Sequence, residues 1–481
     1  MEQISNHILA LQIFIPILSG FIIALIKKQN IALYLFRFAS LLSFISSITI
    51  FILVNQAGII DYSFGGFDNN VGIIFKVDLL NAPLILLVNL LLCSAAFLIF
   101  DKNDKFSNFV YSLILISYTG IFGILLTGDL FNLYVFLEIY SLASAALFAS
   151  GRNFTAAFYY LIINTIAATL ILLSIGFLLA ATGHLNMAEI HNALINHYNS
   201  KIIMGACVIY AVAVICKSSI FPMYFWSVQA YEKANAKIWL LLSAISANIG
   251  IYLLVRYGYF VVDYQKFFIS YHIQQLLQIL GISSVIYGCV MAYLETNFRK
   301  VIIWSSIASM GYFAILFSIL EADAFCYGWV YNITDTILKI SLIAIVILYE
   351  EMGSFGYIRK DSMLLKSLIV INIISSLGLP ITMGFFNKLH FLRIALYSTH
   401  QIIFIISIFA SIFAVSYHYR IIHNLMFDEL KTSPNLVFLN WRFKLFIAFF
   451  TILSYVLLLY NDCMLSYYSQ ITDIIFASDG S

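Results

Sequence analysis

Four side chains in this sequence carry charge where charge is expensive. Glu138 lies in G-D-L-F-N-L-Y-V-F-L-E-I-Y-S-L-A-S (residues 128–144), and Lys217, Lys339 and Lys388 lie inside other long apolar runs. An ionised side chain at bilayer depth costs at least about 2.5–3.5 kcal/mol on insertion scales, so each is a functional-site hypothesis that needs a partner. A buried Glu beside a buried Lys forms a coupled pair: each holds the other ionised, and a proton arriving at one changes the affinity of the other. That is the chemistry of a proton relay. Lysine suits it because a desolvated ammonium releases its proton readily, whereas a guanidinium does not.

Other uses of the same residues remain open at this point. Glu138 and Lys217 can form a static ion pair holding two helices in register, a weak stabiliser because desolvation offsets the Coulomb gain. Asp335 stands four residues before Lys339, the spacing of a local intrahelical pair. Lys388 can snorkel if it lies near a membrane face. His184, His191 and His197, in the connection 183–201, have no ligand spacing and read as a solvated loop.

The elements that must position these charges are membrane helices. The 481 residues are 62% hydrophobic and 10% charged, with a mean hydropathy of +0.97; a soluble globule needs about 25% charged residues. Apolar runs of about 20 residues give about fourteen expected spans, near 8–26, 31–54, 79–100, 107–127, 129–150, 157–182, 202–225, 237–262, 272–294, 299–320, 325–349, 364–396, 401–424 and 442–462. The connections are too short for a soluble domain, so residues 1–481 are expected to form a single all-α membrane domain. A net charge of +2 gives no reason to expect nucleic acid.

Two spans contain interruptions. Pro222 follows Lys217 by five residues and removes a backbone donor, while Gly378, Pro380 and Gly384 precede Lys388. Discontinuous helices five spans apart point to inverted repeats around a midplane ion path, because exposed helix ends exist in a membrane only where they line a wet cavity. Spans 4–8 (about 107–262) and 9–13 (about 272–424) are the expected five-helix halves.

Lys and Arg set the expected orientation. After odd-numbered spans lie Lys27, Lys28, Arg37, Lys102, Lys105, Arg152, Lys233, Lys237, Arg299, Lys300, Arg359, Lys360, Lys366, Arg420, Lys431, Arg442 and Lys444; after even-numbered spans lie Lys76, Lys201, Arg256, Lys266 and Arg393. The first side is therefore cytoplasmic, and both termini are expected outside. The N-terminus has no basic n-region or small-residue cleavage site, so residues 8–26 are expected to stay as a helix. The cysteines show no metal or CxxC spacing, and all but Cys463 fall in apolar runs, as small core residues do. No metal site and no cofactor is expected.

Over roughly residues 70–425 the sequence resembles the proton-conducting antiporter-like family shared by the D subunit of multisubunit Na+/H+ antiporters and the large membrane-arm subunits of respiratory complex I. The resemblance rests on the 128–144 stretch, A-T-G-H-L-N-M (181–187), K-S-S-I-F-P (217–222), F-R-K-V-I-I-W-S-S-I-A-S-M-G-Y (298–312) and L-G-L-P-I-T-M-G-F-F-N-K (377–388). The first and last together favour the antiporter D branch. The resemblance implies a bacterial inner-membrane transporter subunit rather than an enzyme, assembled with other antiporter-type membrane subunits in a lipid bilayer. It would exchange protons for Na+ or another monovalent cation. It further implies Glu138 and Lys217 as the input pair, Lys339 on a central hydrophilic axis and Lys388 as the exit-side lysine; Asp335, Asn248, Pro222 and Pro380 are further candidates for relay or gating. Translocase activity would follow only in a complex I-type assembly, although the chain has no quinone, flavin, haem or Fe–S motif.

The sequence also departs from the family pattern. Asn248 occupies the slot of a usual eighth-helix lysine, and Asp335 and Ala308 stand where histidine is common. Tyr224–Tyr231 and Ala234–Ala236 replace the usual segments rich in Pro and His. A relay would need waters past Asn248, which cannot take up a proton; the alternatives are a complex I-type proton-pumping membrane subunit and a diverged structural paralogue with a degenerate relay.

Overall fold

The computed structural model describes residues 2–64, 72–102, 104, 106–151, 154–194, 201–270, 272–352, 363–397, 401–427 and 441–476. Lys105, Arg152, His197, Arg359, Lys360 and Lys431, named above, lie outside them. The apolar runs fold as helices because hydrocarbon offers the backbone no hydrogen-bond partners, so each segment must satisfy its own N–H and C=O groups. Among the described residues, eleven helices are long and apolar enough to cross a membrane. The remaining expected spans correspond to shorter pieces: one 17-residue helix near 79–100 and two interrupted helices at 202–225 and 364–396.

The chain divides into two compact units. The first comprises residues 1–218, 233–242 and 249–274. It holds α1 (Glu2–Leu25), α2 (Gln29–Ala57), α3 (Ala82–Leu98), α4 (Asn108–Leu126), α5 (Leu130–Ser150), α6 (Phe154–Thr182), α7 (Met187–Leu194), α8 (Lys201–Lys217) and much of α10 (Ala236–Val255). Helix α4 packs against α1 and α5, and α6 against α5 and α8. The central window of α4 is 89% buried against 39% for α1, α2 and α6, which places α4 in the core and leaves those three with large lipid-type faces.

The second unit comprises residues 219–232, 243–248 and 275–481. It holds most of α9 (Phe225–Lys233), then α11 (Ile273–Leu294), α12 (Phe298–Ser318), α13 (Ala322–Met352), α14 (Met363–Leu377), α15 (Met383–Tyr397), α16 (Gln401–Phe427), α17 (Trp441–Leu459) and α18 (Asn461–Phe476). Its centre is α13, 94% buried, packed against α12, α15, α17 and α18.

Some connections carry structure that composition did not announce. Residues 55–78 include an antiparallel hairpin of β1 (Ile60–Ser63) and β2 (Ile74–Val77), with Ile60 paired to Val77 and Ser63 to Ile74. Part of 183–201 is helix α7, and His184 pairs with Glu189 at 3.0 Å. Two basic residues assigned to loops are buried instead. Arg256 is 4% exposed and forms an ion pair with Asp78, whose carboxylate also accepts from the Leu80 and Asn81 backbone N–H groups. Arg299 is bidentate to Glu350, at 2.8 and 2.6 Å. Such fully partnered guanidinium groups hold elements together.

Candidate functional site

In the first unit the site begins with how α5 starts. Asp129 caps it, its carboxylate accepting from the Asn132 N–H at 2.7 Å, and Asn132 donates to the Thr127 hydroxyl at 3.1 Å. The seating of α5 is set by glycines on α4. A Cβ at Gly120 would lie 2.7 Å from the Tyr140 nitrogen, and one at Gly123 would enter the Phe136 ring. Only glycine permits this approach, the small-residue packing used where helices meet in a membrane. Glu138 is half-buried, two residues from each of these contacts and so on the opposite side of α5.

Lys217 is the last residue of α8 and 5% exposed. The helix stops there because Pro222 lacks a donor and its ring would collide with the Ser218 carbonyl, four residues back. The ammonium thus sits at the negative end of the helix dipole. It donates to the Ser141 hydroxyl at 3.2 Å, and Ser141 in turn donates to the Leu137 carbonyl. Ser141 lies one turn beyond Glu138, on the same face of α5. Among the described residues no ion pair within 4.0 Å joins Glu138 to Lys217, yet the two lie in electrostatic range. The carboxylate and the lysine are neighbours through Ser141, not a closed pair.

The second unit collects more charge. On α13, Asp335 and Lys339 form an ion pair at 2.6 Å across one helical turn, and Ser309 of α12 donates to the other Asp335 oxygen at 3.4 Å. The local pair is present, while the Lys339 ammonium has no well-aligned hydrogen bond. Asn248 donates to the Ala244 carbonyl at 3.0 Å and to the Thr336 hydroxyl at 2.5 Å. A neutral amide therefore lies against the residue beside Asp335.

The break between α14 and α15 places Lys388. Gly378 adopts φ +82°, which an L side chain resists, Pro380 follows it, and Gly384 lies against the Ser375 carbonyl with no room for a Cβ. The Leu377 carbonyl is left without a helical partner, and Lys388 donates to it at 2.6 Å. Asn387 ties α15 to α13 by donating to the Thr334 hydroxyl at 2.8 Å. Asp335, Lys339 and Lys388 line one cavity of about 60 Å³, together with Ser309 and Ala308. His418 of α16 lines it as well. His418 was not expected from the sequence, although the desolvation cost that exposed Glu138 falls equally on a histidine inside an apolar span.

A larger cavity of about 320 Å³ lies in the first unit, bordered by Asp61, Lys76, Glu189 and Arg256. Its charges are of both signs and several are already paired.

Residues 127–414 match the family described as NADH:quinone oxidoreductase/Mrp antiporter, TM. The N subunit of a NADH-quinone oxidoreductase from Desulforudis audaxviator is 31% identical over 325 residues, which are 65% of this chain and 64% of that protein. The D subunit of the Bacillus subtilis Na(+)/H(+) antiporter is 28% identical over 399 residues, 80% of this chain and 79% of that protein. Among solved structures, a chain of the Mrp complex from Dietzia sp. DQ12-45-1b superposes with a TM-score of 0.88 at 17% identity, over 98% of both chains, and so shares the fold.

Proposed function

Because this chain belongs to the NADH:quinone oxidoreductase/Mrp antiporter family of membrane proteins, we propose that it is a membrane subunit of a multisubunit monovalent cation/proton antiporter, with protons carried by Glu138, Lys217, Lys339 and Lys388. The supporting observation is that two of these lysines sit at helix breaks: Lys217 ends α8, and Lys388 donates to the carbonyl that ends α14. A helix broken inside a membrane leaves carbonyls that a neighbouring donor, water or a cation must satisfy. An ammonium that shares such a carbonyl can release its proton and let water take its place. Asp335 balances Lys339 in the second unit, and Asn248 holds Thr336 beside that pair. In this reading the fold is a pair of inverted five-helix repeats, Pro222 and Pro380 mark the gating breaks, and both termini lie outside a bacterial cytoplasmic membrane. The partners are other antiporter-type membrane subunits, and the transported ions are protons and Na+ or another monovalent cation.

A second reading has its own support. The oxidoreductase relative is more identical to this chain than the Bacillus antiporter relative is, which favours a proton-pumping subunit of a complex I-type assembly using the same residues. Co-purification in mild detergent distinguishes the two by the small antiporter subunits or the redox subunits that accompany the chain. The proton path itself is tested by Glu138→Gln in membrane vesicles. Proton-coupled exchange is expected to vanish with the protein still present in the membrane; normal exchange overturns the path.

A further inference from the structure

The second-unit cavity also holds a histidine that this path does not use. His418 is 4% exposed and lies inside the apolar span of α16. Its Nδ1 is 2.8 Å from the Ala414 carbonyl. A carbonyl only accepts, so Nδ1 carries a hydrogen, and in the neutral ring Nε2 is left as the acceptor. The tautomer is thus fixed by the residue's own helix. Lys388 lines the same cavity and is within electrostatic range of the imidazole. A volume of about 60 Å³ exceeds the roughly 10–15 Å³ that one water needs.

We infer that His418 is a proton-carrying residue of the second unit, exchanging a proton with Lys388 through water in this cavity. In the step, the Lys388 ammonium gives a proton to cavity water, which passes one to Nε2; lysine becomes a neutral amine as imidazole becomes imidazolium. No other bond changes. Total charge in the cavity stays constant, so the Asp335–Lys339 pair keeps its electrostatic balance, and no uncompensated charge is created in a low-dielectric site. The imidazolium still holds its Nδ1 hydrogen on Ala414, so the Nε2 proton is the one released. The other titratable groups at the cavity are Cys289 of α11, Tyr312 of α12, Tyr331 of α13 and Tyr417 of α16, all uncharged near neutral pH by their ordinary ionisation. Arg420, one half-turn on, is held by the Tyr293 and Glu295 carbonyls at 2.5 Å each and is not a competing partner.

This inference rests on the proton path proposed above, and its test separates the two. The complex is purified with its own partner subunits, placed in vesicles and assayed with a pH-sensitive dye and Na+. Proton transfer by a positioned side chain is worth about 10²–10⁴-fold, and since water can bypass one station, His418→Gln is expected to slow exchange at least about tenfold and to change its pH profile. His418→Ala leaves a space the size of the lost ring, so added imidazole should restore exchange in His418→Ala and not in His418→Gln. A wild-type rate in His418→Gln with a silent Glu138→Gln overturns the role of His418 and leaves the path standing. A loss in both His418 variants that imidazole does not relieve also overturns it, because the residue is then structural. If His418→Gln fails to accumulate, His418→Ala with and without imidazole decides. A wild-type rate in Glu138→Gln overturns the path and this inference with it.

Discussion

The lysine site of the first unit and that of the second solve one problem in opposite ways. In the first, Lys217 is held by a hydroxyl and by a helix end, with the Glu138 carboxylate nearby but outside ion-pair distance. In the second, Lys339 is closed onto Asp335 at 2.6 Å, and Lys388 rests on a backbone carbonyl beside the same cavity. An ammonium held by neutral dipoles exchanges its proton without first breaking an ion pair. One closed onto a carboxylate must lose that pair or pass its proton along it. The first arrangement suits direct proton release; in the second, Lys339 hands on its proton only as its ion pair opens, and Lys388 is the less constrained member.

The largest effect should come from removing the loosely held lysine. Lys217→Ala takes away the only ammonium described at that site, and loss of a proton-transfer group costs about 10²–10⁴-fold. Exchange in vesicles is expected to fall at least about a hundredfold, with the complex intact by size-exclusion chromatography. If Lys339→Ala is that damaging and Lys217→Ala is mild, the loosely held lysine is not the one on which exchange depends most.

Next is Asp335→Asn, which should act on stability as well as on exchange. Breaking a buried pair by removing one partner costs about 3–5 kcal/mol, because the remaining charge is uncompensated. Both side chains keep some exposure, 10% and 17%, so the lower end is expected, read as a lower Tm of the detergent-solubilised complex. Asp335→Asn with Lys339→Gln should recover most of the stability and little of the exchange. A double variant as unstable as the single one would mean that the pair is not what the carboxylate stabilises.

These contrasts were partly legible in the sequence. Glu138, Lys217 and Lys388 stood out because charge inside an apolar run carries a cost that composition cannot hide, and Pro222, Gly378 and Pro380 marked the helix breaks by backbone chemistry alone. The Asp335–Lys339 pair followed from a spacing of four. What stayed hidden depends on tertiary approach. Nothing local says that Ser141 receives Lys217, that the Leu377 carbonyl turns to Lys388, or that Arg256 leaves the solvent to meet Asp78. The hairpin at 60–77 was missed because its strands are only four residues each, too short for a period-two pattern to emerge. His418 was within reach of the same cost, but its neighbourhood of Tyr417, Tyr419 and Arg420 reads as the polar end of a span.

A smaller effect is expected from placing a lysine at position 248. In Asn248→Lys a new ammonium would approach Thr336, one turn from Lys339. Two like charges about 6 Å apart repel by about 3 kcal/mol at an effective dielectric near 20, part of which the new side chain relieves by moving. Exchange should fall by roughly tenfold, since 1.4 kcal/mol is a factor of ten, and Lys339→Thr added to Asn248→Lys should recover it. Recovery would mean that the central positive charge has moved from α10 to α13 in this chain. No recovery would mean that Asn248 matters for its hydrogen bonds alone.

The smallest expected effect tests the looseness of the first site most directly. Ser141→Ala removes the hydroxyl that accepts from Lys217 and leaves the Leu137 carbonyl with its helical bond. A single neutral hydrogen bond is worth about 0.5–1.5 kcal/mol net, so exchange should drop about two- to tenfold with no measurable change in Tm. The direction of the accompanying change at Glu138 is the informative part. With the hydroxyl gone, the ammonium can turn to the carboxylate in its electrostatic range, and the two should close into an ion pair like that of Asp335 and Lys339. If that happens, the residual exchange of Ser141→Ala should become more salt-insensitive and slower in proton release than in binding, as expected of a closed pair. A loss as deep as that of Lys217→Ala would give Ser141 a larger part: the hydroxyl, not the helix end, would then be the step by which the proton leaves Glu138 for Lys217.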